Sequence, residues 1–353
     1  MTTTSSPERA PLTSDARTRL ALLGTAGGPN WWLDSPRCGI SSAVVVGDKY
    51  YLVDAGAGVG PQIRRARLGN WESRLWGPLD GLRSVFLTHL HSDHVCDLNN
   101  ILNNGLANGL GLGGPVSVWG PGDRGALPPA RPGSSPTPVA PDSPTPGTRE
   151  LVESIARTFA TDYNDRIFEN GIEGTDGFIT GHDVPIPKEY LADPNGDPHP
   201  RMSPVPFYED DRVRVSATLV RHAPVFPALA FRFDTDDGSI VFSGDTGPSE
   251  NLVELATGAD VLVHEVIAGE WVAADFPSPR DPVNEAIYQH LIGRHTLIED
   301  VGPLAERAGV PTLVLNHLVP ATWPVERWEE AQKGYSGRLV VGMDLDQIGI
   351  GAA

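Results

Sequence analysis

Within Thr88-His89-Leu90-His91-Ser92-Asp93-His94, three imidazoles and a carboxylate fall inside six positions. Nitrogen and oxygen donors at this density suit zinc, with manganese or iron as substitutes. The apolar run Leu82 to Leu87 in front of them predicts a buried strand. Residues two apart at a strand end point the same way, so His89 and His91 share one side. After the turn, Asp93 and His94 are placed to serve a second ion. Two cations need further donors, and three candidates follow apolar runs elsewhere: His222 after Val213–Val220, Asp245 in Phe242-Ser243-Gly244-Asp245-Thr246, and His317 after Leu313-Val314-Leu315-Asn316. Taken singly, these also read as a rim histidine, a turn or helix-capping aspartate and a core histidine. Their recurrence at strand ends beside the histidine-rich motif is the signal.

The elements that must position these groups follow from pattern. A strand at Arg19–Gly24 runs into a glycine-rich loop, and strands Ser42–Val46 and Tyr50–Asp54 flank the tight turn Gly47-Asp48-Lys49. A helix is expected from about Pro61 to Leu68, a helix weakened by glycine over Asn99–Leu112, and a strand at Val116–Gly120. Residues 121–148 are rich in Pro, Gly, Ser and Thr, residues 151–169 regain helical periodicity, and residues 176–206 are again loop-like. We read residues 121–208 as one insertion before His222, a Pro-rich loop plus a helical cap over the metal site. Strands are expected at Val213–Val220, Leu229–Phe233, Ser239–Phe242, Val261–Val263 and Thr312–Leu315, with helices at Asn251–Ala256, Thr296–Ala308 and Val325–Lys333. This α/β alternation fits an αββα sandwich or an open sheet.

The chain has 353 residues, 40% hydrophobic and 20% charged, with a formal net charge of −18. Its size permits a large core. The acidic balance disfavours nucleic acid as a partner, since the longest basic cluster, Arg64-Arg65-Ala66-Arg67, has the spacing of a solvated helix face. Two cysteines, Cys38 and Cys96, make no disulfide framework. Residues 1–18 read as a disordered tail without the apolar centre of a signal peptide, and no stretch approaches the length of a membrane span, so cytoplasmic residence is the default.

The segments Leu23-Gly24-Thr25, Leu52-Val53-Asp54-Ala55-Gly56, Thr88–His94, Ser243-Gly244-Asp245-Thr246, Leu262-Val263-His264-Glu265 and Leu313–His317 resemble the metallo-β-lactamase superfamily, in its ribonuclease Z and arylsulfatase-like branch. They span nearly all of the chain outside the tail and the insertion. The resemblance implies the αββα sandwich and two zinc ions. One would be held by His89, His91 and His222, the other by Asp93, His94 and His317, with Asp245 bridging. It implies that Asp54 and His295 support the ligands from behind, and that His264 is catalytic with Asp93. His182, His199 and His290 are expected at the surface. Trp31, Trp32, Phe226 and Trp271 could line an aromatic substrate pocket or belong to the core.

A metal pair would lower the pKa of a shared water from about 15.7 toward about 7, supplying hydroxide near neutral pH. The expected activity is therefore metal-dependent hydrolysis of small esters: phosphodiester, aryl sulfate or lactone. The alternative is a ribonuclease Z that processes tRNA 3′ ends. The short connection from His222 to Gly244 leaves no room for the tRNA-gripping arm common in that family, which favours the small-ester reading. A non-catalytic binding protein on the same fold is disfavoured because every ligand position is filled. Family members often dimerise, so a homodimer is implied by resemblance alone.

Overall fold

The computed structural model describes residues 9–73, 77–131, 133–171 and 179–351. Two seven-stranded sheets lie face to face. In order across the first are β14 (Gln347–Gly349), β1 (Thr18–Gly24), β2 (Ser41–Val46), β3 (Lys49–Val53), β4 (Leu82–Phe86), β5 (Val116–Gly120) and β6 (Ile179–Asp183). The second runs β13 (Arg338–Val341), β12 (Thr312–Val319), β11 (Val261–Ile267), β10 (Gly238–Phe242), β9 (Leu229–Thr235), β8 (Arg214–Leu219) and β7 (Val205–Glu209). Each is parallel on one side and antiparallel on the other: β3 to β6 and β10 to β13 run parallel.

Strand alternation builds three layers of core. Leu20, Val44, Tyr51 and Phe86 of the first sheet meet Val215, Phe231, Phe233 and Val314 of the second. The intervening residues Ala21, Leu23, Val45, Leu52 and Val85 face outward. There they pack against α1 (Val59–Arg65), which follows β3, and α3 (Leu98–Asn104), which follows α2 (Ser92–Val95), with Val152 of α4 (Thr148–Thr158) joining them. On the far side Val241, Leu262, Leu313 and Leu315 are covered by α6 (Glu250–Ala256) and α9 (Ile298–Ala308). Helices outside, sheets inside: this is the αββα sandwich, and the open-sheet alternative is excluded. The remaining helices are α5 (Ala160–Asn170), α7 (Gly269–Asp275), α8 (Pro282–Arg294) and α10 (Val325–Trp328).

Several boundaries differ from expectation. The span 121–208 contributes β6 to one sheet edge and β7 to the other, so part of it is scaffold. Helix α4 lies on the outer face of the first sheet because its apolar stripe, Leu151, Val152 and Ile155, is buried there and not over the metal ligands. Of the tail, residues 1–8 lie outside the described residues, while Arg9 reaches Asp346 Oδ2 at 2.6 Å and the Leu12 amide donates to Asp346 Oδ1 at 2.8 Å. Helix α8 has no buried residue, so it lacks the apolar stripe that marks a helix in sequence. Its signal is local: Asp281 caps the Val283 and Asn284 amides at 2.8 and 2.9 Å, with Pro282 in the first turn. Among the described residues no helix is long and apolar enough to cross a membrane.

Candidate metal centre

All seven expected ligands converge at one rim of the sandwich. His89 and His91 follow β4, and the chain turns at once into α2, whose first turn carries Asp93 and His94. That turn packs so closely on the end of β3 that a Cβ at Gly56 would lie 2.6 Å from the Asp93 carbonyl. His222 follows β8. Asp245 follows β10 through Gly244, whose φ of +58° and approach to the Leu229 carbonyl (2.6 Å from an added Cβ) demand glycine.

His317 arrives differently. It lies inside β12, where Glu265 pairs with Asn316 but Val266 pairs with Leu318, so His317 is an extra residue in a β-bulge. Regular alternation would send it outward with Leu313 and Leu315. The bulge, with φ of +46° at His317, turns it to the rim instead. Asp54, at the end of β3, also has positive φ (+61°). Two non-glycine residues in this sparsely populated region flank one site, where neighbouring structure holds them.

The donors form two clusters that share Asp245. Asp245 Oδ2 lies 3.8 Å from His89 Nε2 and 3.9 Å from His222 Nε2, and His222 Nε2 lies 3.4 Å from His91 Nδ1. Asp245 Oδ1 lies 3.4 Å from His94 Nε2 and 3.3 Å from His317 Nε2, while Asp93 Oδ2 is 3.5 and 3.4 Å from the same two nitrogens. A tetrahedral zinc with bonds of about 2.1 Å separates its donors by about 3.4 Å. The observed spacings match that edge. His89 Nε2, His94 Nε2 and Asp245 Oδ1 are buried and have no hydrogen-bond partner among the described residues, a costly state that a cation relieves. The residues therefore fit two ions. Burial holds His89 and His222 well below the usual histidine range. Burial acts against charge on Asp245 too, but the surrounding imidazoles, His317 and His94 foremost, keep its carboxyl well below the ordinary value.

Behind the ligands stands a set of orienting contacts. Asp54 Oδ2 is 2.8 Å from His94 Nδ1, and Asp54 Oδ1 accepts the Thr88 amide at 2.8 Å. His222 Nδ1 meets the Arg294 carbonyl at 3.1 Å. His295 Nδ1 is 3.1 Å from Glu265 Oε1 and 4.0 Å from Asp245 Oδ2. Burial pushes His295 down, but the paired Glu265 outweighs it and raises its pKa to about 9. Glu265 Oε1 also accepts the Thr246 and Thr296 amides, at 2.9 and 3.2 Å. Its role is not legible in the apolar strand around it.

His264 is placed unlike His295. It is fully buried, its Nδ1 held 2.6 Å from the Glu265 carbonyl, and it belongs to neither four-ligand cluster. The aromatic residues do not form one wall. Phe226 is in the core between the sheets, Trp32 packs edge-on against Trp271 at 5.6 Å, and Trp31 is 98% exposed. His290, expected at the surface, is half-buried with its ring 5.5 Å from His222 and 5.8 Å from His295.

The sequence profile of the metallo-beta-lactamase superfamily matches residues 36–290. A protein named ribonuclease Z from Mycobacterium bovis (strain BCG / Pasteur) is 32% identical over 333 residues, covering 93% of this chain and 97% of that protein. Another of the same name, from Mycobacterium marinum, is 30% identical over 337 residues, covering 94% and 99%. The crystal structure of human tRNase Z, short form, superposes with a TM-score of 0.58 at 16% identity, covering 94% and 99%, a likeness of fold. These relatives overturn the expectation that nucleic acid is disfavoured as a partner. The physical reason is that net charge sums over the whole surface, whereas a polyanion meets one face of it. At this rim Arg221 and Arg294 form no side-chain hydrogen bond or ion pair among the described residues.

Proposed function

The chain belongs to the metallo-β-lactamase superfamily, in the branch of ribonuclease Z and the arylsulfatase-like hydrolases, and on that premise we propose that it is a zinc-dependent endonuclease of the ribonuclease Z type, acting on precursor tRNA 3′ ends in the cytoplasm. The observation that carries the reading is a dinuclear donor set complete in every position, in a chain 32% identical to a ribonuclease Z over nearly its whole length.

Two zinc ions would supply a water of lowered pKa and withdraw charge from a phosphoryl oxygen. Asp93 is a carboxylate in the working range: burial pushes it up, but His94 and His317 bring it down to about 2. It can therefore accept a hydrogen bond from the attacking water and fix its direction. Glu265 anchors His295 through Nδ1, leaving Nε2 to carry the proton that the departing oxygen needs. We assign the general acid to His295 for this reason, and give His264 the role of fixing the end of β11.

The test is direct. Purified protein loaded with zinc is incubated with a precursor tRNA bearing a 3′ trailer, and with bis-p-nitrophenyl phosphate as a minimal phosphodiester. Cleavage at the trailer junction is expected. Turnover of the dye ester with no cut in any precursor would refute the substrate while leaving the hydrolase.

A further inference from the structure

Beside the metal centre lies a second feature that hydrolysis itself does not use. A cavity of about 340 Å³ is lined by Arg124, Asn195, Pro224, Gln289, His290 and Arg294, among others, with no carboxylate in its wall among the described residues. It borders the site through His222. Pro224 follows two residues after the ligand His222, the Arg294 carbonyl holds His222 Nδ1, and the His290 ring stands 5.5 Å from His222.

Arg124 is only 9% exposed, yet among the described residues its guanidinium meets only neutral oxygens: the Ala126 carbonyl, the Pro194 carbonyl at 3.2 Å and Asn195 Oδ1 at 2.8 Å. Its Nε is buried without a partner among the described residues. A cation whose partners are all neutral keeps its charge uncompensated, which leaves it able to attract an anion from outside. Arg294, one turn beyond His290 on α8, brings to the same wall a second guanidinium that has no hydrogen-bond or ion-pair partner among the described residues. The amides of Gln289 and Asn195 already donate elsewhere, Gln289 Nε2 to Glu285 Oε1 at 2.7 Å and Asn195 Nδ2 to the Leu127 carbonyl at 3.3 Å, so the arginines are the groups that count here. In a chain of net charge −18, two arginines facing one cavity without an acid mark a local anion site.

We propose that this cavity is a phosphate subsite that binds a non-scissile phosphate of the RNA strand next to the one cut at the metal centre. The inference rests on the ribonuclease reading above. Arg294 and Arg124 are binding residues here: they fix the register of the strand, and the bond cleaved is set by which phosphate they hold.

Binding can be read without cleavage. The dissociation constant of a short single-stranded RNA is measured against salt in chelator, for wild type, Arg294→Ala and Arg124→Gln. Each variant should weaken binding about tenfold and lower the slope of log K against log salt by about 0.7. With zinc restored, KM for a precursor RNA should rise about tenfold with little change in kcat. A neutral methylphosphonate placed singly at phosphates flanking the cut should reproduce the Arg294→Ala loss at one position, where the variant shows no further loss. If Arg124→Gln does not fold, because it ties two loops together, Arg294→Ala and the methylphosphonate scan decide. Unchanged slope and KM in variants of an enzyme that does cut precursor RNA would overturn the subsite alone. A wild type that neither binds nor cuts RNA would overturn the ribonuclease reading, and the subsite with it.

Discussion

The carboxylate of Asp54 lies 2.8 Å from His94 Nδ1, in a backbone conformation (φ +61°) that only its neighbours sustain. This contact fixes the ring so that Nε2 faces Asp93 and Asp245. Asp54→Asn removes the charge and keeps the shape. Affinity for the second ion should fall by about 10- to 100-fold, measured by competition with a chromophoric chelator. Wild-type affinity in the variant would show that Asp54 only terminates β3.

Asp245 serves both clusters through separate oxygens. Asp245→Ala should therefore lose both ions, whereas His89→Ala and His317→Ala should each retain about one per chain. Elemental analysis after gel filtration gives the counts, and two ions retained without Asp245 would contradict the bridge.

His295 and His264 separate by kinetics. Replacing His295 with Ala should lower kcat about 10²- to 10⁴-fold and leave two ions bound. Glu265→Gln should lower it less and shift the basic limb of the pH–rate profile downward, because Glu265 is what raises His295. His264→Asn should lower melting temperature before it lowers turnover of folded enzyme. The reverse ranking would restore His264 as the acid.

Tyr51 of β3 donates to Asp210 Oδ2 across the sandwich at 2.7 Å, and Tyr208 joins it at 2.9 Å. Burial pushes the Asp210 carboxyl up, but these hydroxyls and the Arg212 and Val213 amides outweigh it, leaving its pKa below the ordinary value. A depressed carboxyl stabilises the fold above its unfolded pKa of about 3.9 and loses that contribution as pH falls. Tyr51→Phe should cost about 1–2 kcal/mol at pH 7, and the gap from wild type should close as pH drops toward 3. A gap that is constant with pH would place the effect in packing.

Phe86 is fully buried and touches the rings of Phe207, Tyr208, Phe231 and Phe233, centroids 5.1–6.0 Å away. Phe86→Ala should cost about 3–5 kcal/mol in denaturant melts. Because Thr88 and His89 follow only two and three residues later, metal affinity should fall with stability.

Much of the site is legible because its chemistry is local. His89, His91, Asp93 and His94 lie within six positions, and strand alternation followed by a turn is enough to aim them. His222 and Asp245 are readable as polar residues closing apolar runs. Glu265 escapes because a buried carboxylate inside β11 has meaning only once Thr246, His295 and Thr296 surround it. Helix α8 escapes because none of its residues is fully buried, yet it brings His290 and Arg294 to the rim.

Residue types and their order determined by themselves that metal-ligating groups would gather at strand ends of an α/β chain, since donor chemistry and a period of two are properties of short segments. The choice of a sandwich over an open sheet rested on resemblance and is decided by the two sheets themselves. Only tertiary structure decided that His295 is paired with the buried Glu265, that His317 is turned to the rim by a bulge, and that arginines gather beside the ligand His222 despite an acidic whole. Those are relations between segments up to about two hundred residues apart, set by sheet register and packing, and no local pattern encodes them.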